Sequence, residues 1–305
     1  MDRRGYLLEN LTRDTPVLEI GPSYNPLVTK ADGWTVQTVD HASKADLESK
    51  YRLWGVDVSR MEEVDYIWKS GPLHEAVPAP FHGRFDRVLA SHVIEHIPDM
   101  LGFLHSVTRL LTPGGKFALA VPDKRFCFDY YRPGTMTSDV LQRHGNGDNQ
   151  HSMKSAFETY FYNANANGSI AWWNAPALPV ALHHDWASSM QQLSAYRNVP
   201  PGTYLDMHAS TFTPCAFELI ITELAALALC ELTVQHTIRT NAYEFFVVLE
   251  QAGPALRARG EDWIAARRTQ LLRGMLEETH WQFELLRQAE ANAATPASSE
   301  APSSP

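Results

Sequence analysis

Four polar side chains crowd the end of one apolar run in this chain. In F-D-R-V-L-A-S-H-V-I-E-H-I-P-D, Phe85 to Asp99, a strand-like stretch gives way to Ser91, His92, Glu95 and His96, and a proline then opens a helix. Packing alone does not require this polarity at a strand terminus. Imidazoles and a carboxylate there can exchange protons near neutral pH. A second polar stretch, D-M-H-A-S-T-F-T-P, carries Asp206 and His208. A third, V-L-E-I-G-P-S-Y-N-P from Val17, runs a strand through Glu19 into a turn at Gly21-Pro22-Ser23. Glycine at such a turn lets the backbone approach a ligand closely. Asp40 follows Gly21 by 19 residues, at the end of the next strand. An acid at that place can accept hydrogen bonds from both ribose hydroxyls of an adenosine. A lone Asp is otherwise more often a helix cap or a solvated loop acid, and the spacing from Gly21 tips the balance.

Two further groups of residues invite a functional reading. In P-D-K-R-F-C-F-D-Y-Y-R-P, from Pro122, the cations Lys124, Arg125 and Arg132 stand among aromatics. They suit an anionic or sugar-like ligand. They suit equally an internal network with Asp123 and Asp129. Trp172, Trp173 and Trp186 line a pocket or pack a lid. His183-His184-Asp185, His144 and His151 lack a strong ligand spacing, so no metal centre is expected from them.

The elements that must position these residues follow an α/β rhythm. Strands are predicted at Val17–Ile20, Thr35–Val39, Tyr66–Trp68, Phe85–Ala90 and Lys116–Val121, with a leading helix at Tyr6–Leu11. Leu101, Leu104, Val107 and Leu111 repeat at near-helical spacing over Pro98–Leu111, and Thr112-Pro113-Gly114-Gly115 ends that helix. Such alternation gives a parallel sheet covered on both faces, with ligands at the carboxyl ends of its strands. Lys124 to Pro201 breaks the rhythm and reads as an inserted lid, with a helix around Ser152–Asn163. A helix from Thr213-Pro214 to Leu229 and an antiparallel pair, Leu232–Arg239 and Tyr243–Glu250, close the domain. The organisation expected is a domain over 1–252 that includes the lid at 124–201, a helical extension over 253–290, and a disordered Ala/Ser/Pro-rich tail over 291–305. The extension's apolar stripe is too irregular for a coiled coil and favours a protein partner or self-association.

Composition narrows the function classes. The net charge is −9 with no Lys/Arg stripe, which argues against a nucleic-acid partner. Three well-separated cysteines form neither a disulfide framework nor a metal spacing and suit a reducing cytoplasm. The N-terminus is too charged for a signal peptide, and glutamates interrupt the longest apolar stretch, Phe217 to Val234, so no membrane span is expected.

Taken together, the segments around Gly21, Asp40, His92 and Gly115 resemble the class I S-adenosylmethionine (SAM)-dependent methyltransferases, in the branch with a D-x-V-x-x-S-H-V-x-E-H pattern. Asp206 to Pro214 resembles the same branch. The resemblance covers roughly 16–123 and 204–251. It implies a Rossmann-like, doubly wound, seven-stranded, mostly parallel sheet with an antiparallel last strand. It implies SAM as cofactor, with Glu19, Gly21, Pro22 and Ser23 around the methionine part, Asp40 on the ribose and Ser70-Gly71 near the adenine. Ser91 and His92 would line the floor near the sulfonium. One departure is that Ser23 stands where the family has a second glycine, with Pro22 between, which predicts a stiffer loop. Methyl transfer to a hydroxyl benefits from a general base. His208 is preferred, with Asp206 orienting it, and His92 and His96 are the alternatives. Lys124, Arg125, Arg132, Trp172, Trp173 and Asp206 are the expected contacts to a small-molecule or glycan acceptor, methylated at oxygen. Two other readings stay open. A non-catalytic SAM-binding scaffold would need no enclosed acceptor pocket, and a nicotinamide-dependent oxidoreductase should carry the G-x-G-x-x-G that is missing here.

Overall fold

The computed structural model describes residues 3–176, 178–200 and 203–294. The first half alternates as expected: α1 (Arg3–Leu7), β1 (Val17–Ile20), β2 (Val36–Asp40), α2 (Lys44–Arg52), β3 (Tyr66–Ile67), α3 (Leu73–Ala76), β4 (Phe85–Ser91), α4 (Met100–Leu110) and β5 (Leu111–Pro122). The insertion holds α5 (Thr137–Asn146), α6 (Met153–Tyr162), the hairpin β6 (Ala164–Ala166) and β7 (Val180–Leu182), and α7 (Trp186–Tyr196). After it come α8 (Pro214–Ala226), β8 (Leu232–Ile238), β9 (Glu244–Gln251), α9 (Gly253–Arg257) and α10 (Glu261–Ala294).

Seven strands form one sheet in the order β3-β2-β1-β4-β5-β9-β8. β9 runs antiparallel to both its neighbours and the other pairs are parallel. This is the Rossmann-like sheet that the sequence predicts. Its central strands bury side chains on both faces, as a parallel sheet between helices must. Leu18, Ile20, Val88, Phe117 and Leu119 share one core with Leu104 and Val107 of α4 and Phe217 and Ile220 of α8. Val17, Leu89, Ala118 and Phe246 face the other way, onto Tyr6 and Leu7.

Three local departures have physical reasons. The leading helix lies at Arg3–Leu7, ahead of its expected place, because fully buried Leu7 and the contact of Tyr6 with Phe246, 4.8 Å between rings, anchor it there. The Thr112–Gly115 breaker does end α4, whose N-terminus Asp99 caps by accepting the Gly102 N–H at 2.9 Å. The breaker itself joins β5 as an irregular start, with a register shift between Phe85 and Arg87. The insertion is richer in structure than its irregular sequence suggests, with two further α-helices, α5 and α7, and a hairpin besides the predicted α6, which Ser152 caps.

The C-terminal helix is not free-standing. Leu271 is buried, Glu278 accepts the Cys215 N–H at 3.1 Å, and Arg267 and Arg268 pair with Glu218 and Glu223 of α8. Farther along, Trp281 meets Phe126 at 5.4 Å, and Gln282 exchanges hydrogen bonds with Tyr130 of the insertion. The association through this helix that its sequence favours gives way, over that face, to packing on its own chain. The helix runs through Ala294, so most of the expected disordered tail lies outside the described residues.

Candidate active site

A cleft of about 1640 Å³ opens along the carboxyl ends of β1, β2, β3 and β4. Glu19, Gly21, Pro22, Ser23, Asp40, Ser70, Gly71, Ser91, His92, His96 and Asp206 all line it. The fold thus collects residues that are 187 positions apart in sequence, Glu19 and Asp206, on one surface.

At one end the backbone of the β1 turn is held open. Gly21 has φ +64°, and a Cβ there would lie 2.8 Å from Val93 Cγ2, so both conformation and space require glycine. Ser23 has φ +51°, the left-handed conformation that glycine adopts without steric cost. A serine in that conformation is held by its surroundings: its N–H donates to Asp40 at 3.1 Å. The His41 N–H donates to the other Asp40 oxygen at 2.7 Å. The oxygen that meets Ser23 keeps a further lone pair for a ribose hydroxyl, while the other is also met by His41 Nδ1 at 2.7 Å. Glu19 accepts the N–H groups of Leu27 at 2.7 Å and Val28 at 3.3 Å and so folds the loop back over its own strand. Its burial pushes its carboxyl up to about 7, against the pull of those two hydrogen bonds. Ser91 Oγ is buried beside this turn with no hydrogen-bond partner among the described residues. A glycine-walled turn, an aspartate with a spare acceptor and an orphaned hydroxyl fit a nucleoside-bearing cofactor such as SAM. Aromatic residues form the rim: His41 stacks on Tyr204 at 4.2 Å, and Lys50 sits over Tyr51 and Tyr204.

At the other end stands the histidine cluster. His92 has φ +54°, an uncommon conformation for a residue with a Cβ, and it turns the ring toward the cleft. Its Nε2 lies 2.9 Å from Glu244, which Arg3 also grips at 2.8 Å. His96 Nδ1 lies 3.1 Å from the Met207 carbonyl and, more loosely, 3.7 Å from Asp206. His208 Nδ1 lies 2.5 Å from Asp129. The rings of His96 and His208 meet edge-on at 4.7 Å. Glu95 sits among the three histidines, 1% exposed, with neither oxygen hydrogen-bonded to any described residue.

The electrostatics follow from burial and partners. Burial raises the Glu95 carboxyl, and His92 and His208 only partly offset it. Burial, then the neighbouring His208 and His151, holds the His96 imidazole well below its usual range. Burial alone would lower His208, but Asp129 outweighs it and the pKa rises. Burial likewise works against ionised Asp129, yet His208 and Arg132 hold it at about 2.

Several expected contacts fall elsewhere. His208 is buried behind His96 and does not line the cleft, and Asp129 rather than Asp206 orients it. Lys124, Arg125 and Arg132 are turned inward. Arg125 pairs with Asp123 at 2.5 Å, Lys124 donates to the Tyr130 carbonyl, and fully buried Arg132 binds Asp129, Glu158 and the His208 carbonyl. They are the internal network that the sequence left as the alternative to a ligand grip. Trp172 packs in a small core with Phe126 and Tyr130. Trp173 is exposed and meets Tyr243, itself a cleft residue, at 5.1 Å. Sequence reasoning missed Asp129, Glu244, Arg3 and Tyr204. Only Asp129, already a candidate partner of Arg132, carried a signal of its own.

The match to a family model agrees with this geometry. A family model described as a methyltransferase domain matches residues 2–185. No curated protein matches the chain. Among solved structures, a Rhodobacter sphaeroides protein described as a zinc-dependent alcohol dehydrogenase is 13% identical with a TM-score of 0.46, over 81% of this chain and 88% of that one. The Burkholderia thailandensis 1,6-didemethyltoxoflavin-N1-methyltransferase is 15% identical with a TM-score of 0.41, over 82% and 76%. A SAM-dependent methyltransferase from Methanosarcina mazei is 14% identical with a TM-score of 0.40, over 79% and 94%. With more than half of the chain matched by the family model, and with a sheet and a turn of the required form, the chain belongs to the methyltransferase domain family and is a class I SAM-dependent methyltransferase.

Proposed function

We propose that this enzyme methylates a hydroxyl of a small-molecule or glycan acceptor. The observation that carries the reading is the division of the cleft: one end suits SAM, and the other presents a buried group of imidazoles at the surface where an acceptor must lie. Bound SAM supplies an electrophilic methyl on sulfur. Asp40 holds the ribose, the Gly21–Ser23 turn admits the methionine part, and Ser70-Gly71 lie by the adenine. The methyl would pass to the acceptor oxygen with the sulfur as leaving group, and this chain's part is to hold the acceptor hydroxyl and take its proton into the histidine cluster. His92 and His96 face the cleft. His208 acts from behind them, oriented by Asp129. Asp206, Tyr204 and Tyr243 on the cleft walls suit a hydroxylated acceptor better than a strongly anionic one, because the nearby cations Lys124, Arg125 and Arg132 point inward. Among the described residues no helix is long and apolar enough to cross a membrane, and the three cysteines are buried and unpaired, which fits a reducing compartment such as the cytoplasm.

Calorimetric titration with S-adenosylhomocysteine (SAH), with NADH as control, tests the cofactor. Micromolar binding that falls about 100-fold in Asp40→Ala is expected, since a charge-assisted hydrogen bond to the ribose and the carboxylate that holds the Ser23 turn are both lost. Labelled SAM offered with sugars and small hydroxylated compounds then tests the acceptor class. Label transferred only to amines, or NADH bound in place of SAH, would overturn the proposal.

A further inference from the structure

We infer that Glu95, His96 and His208 form a binding site for a divalent first-row transition metal ion at the acceptor end of the cleft, with His92 beside it. The sequence predicts no metal centre, because its His183-His184-Asp185, His144 and His151 lack a ligand spacing. The fold instead brings His96 and His208, 112 residues apart, to either side of one carboxylate.

The argument rests on where each lone pair points. Carbonyl and carboxylate oxygens only accept hydrogen bonds. The outer nitrogens that touch them, Nε2 of His92, Nδ1 of His96 and Nδ1 of His208, must therefore carry the protons. In the neutral rings the inner nitrogens are then bare. Those inner nitrogens lie 3.6, 3.8 and 3.9 Å from a single oxygen of Glu95. Three lone pairs thus converge on a buried carboxylate that no described residue satisfies. Such an arrangement repels itself unless a metal cation or a proton occupies its centre.

The donor set indicates which cation. One ligand atom each from Glu95, His96 and His208 lies within 4.8 Å of the others. Metal–ligand bonds of about 2.0–2.2 Å place neighbouring ligand atoms about 3–4 Å apart, so little movement is needed. Two imidazoles and a carboxylate suit zinc, manganese, iron(II) or cobalt and do not suit calcium, which prefers oxygen alone. The surroundings have the form of a metal site's outer shell: each ligating imidazole is fixed through its other nitrogen, His208 by Asp129 and His96 by the Met207 carbonyl. Arg132 in turn anchors Asp129. The role of the ion rests on the methyl-transfer reading, in which its charge would lower the pKa of an acceptor hydroxyl and leave His92, which is not a ligand, as the imidazole of the cluster that takes the proton. Its existence does not rest on that reading.

The competing occupant of the centre is a proton on His208 Nε2, and metal titration separates the two. The chelator-treated full chain is titrated with Co²⁺ and Zn²⁺, followed by calorimetry and by the visible absorption of cobalt. One equivalent per chain is expected, with cobalt d–d bands. Glu95→Gln and His96→Gln should each weaken binding about 100-fold, and Asp129→Asn, which touches no metal, about 10- to 100-fold. Circular dichroism establishes that each variant is folded, and the double variant His183→Ala/His184→Ala should bind as the parent does. Failure of the folded parent to bind Co²⁺, Zn²⁺ or Mn²⁺ at one equivalent overturns the site in favour of the proton. So does binding that survives both Glu95→Gln and His96→Gln. SAH titration of the stripped chain keeps the two proposals apart: metal binding without SAH binding upholds the site while removing the methyl-transfer reading.

Discussion

At the SAM end of the cleft the carboxylates are answered. Asp40 accepts two backbone N–H groups, and Glu19 accepts two more. At the acceptor end Glu95 is just as buried and accepts none. The two ends stand on neighbouring strands of one sheet, so the contrast does not come from the scaffold. On the proposed reading it comes from what each end receives. A neutral, hydroxyl-rich nucleoside needs acceptors already held in place, whereas positive charge is welcomed by an acceptor left unpaired.

Three substitutions break or sharpen this contrast. The largest effect is expected from Arg132→Ala, which strips Asp129 and Glu158 of a fully buried partner and should cost about 3–5 kcal/mol in urea unfolding. If Arg132 instead gripped the acceptor, stability would hold while the acceptor's KM rose. Next comes Glu19. The folded chain holds its proton up to about pH 7, whereas an unfolded glutamate releases it near 4.5, so the folded state binds more protons between those values. Stability should therefore fall as pH rises through that window, by about 3 kcal/mol in all, and Glu19→Gln should remove that part of the slope. Parallel pH profiles for parent and variant would refute the assignment. Smallest is Gly21→Ala, where the positive φ and the approach of Val93 should cost about 1–2 kcal/mol and weaken SAH binding while leaving Co²⁺ titration unchanged.

The SAM end was the more legible of the two in the sequence because its chemistry is local. A strand, a glycine turn and an acid at the next strand end lie within 24 residues, Val17 to Asp40, and sequence spacing maps directly onto space. The sheet was legible for the same reason: period and breakers mark each strand. The acceptor end was read only in part. His92, Glu95 and His96 stood out as a polar run, but their meaning depends on Asp129, Met207, His208 and Glu244, which tertiary folding alone brings near. Lys124, Arg125 and Arg132 illustrate the converse error. Cations among aromatics look like a ligand grip in one dimension, and only burial shows that Asp123, Asp129 and Glu158 claim Arg125 and Arg132 while Lys124 turns to the Tyr130 carbonyl. Two of the insertion's helices were illegible because each buries a single apolar side chain, Val140 of α5 in the main core and Leu193 of α7 in a small cluster, and so leaves weak periodicity.

The clasp of α10 on the insertion sets a timetable for biosynthesis. The contact that readies the SAM end, Ser23 to Asp40, spans 17 residues and can form soon after both have left the ribosome. The contact of His208 with Asp129 spans 79, and that of Tyr130 with Gln282 spans 152. Loop closure over such separations is slow and must await the later partner. A nascent chain therefore acquires its nucleoside-binding turn early, and the segment that carries Asp129 is fastened down only after the last long helix has been made.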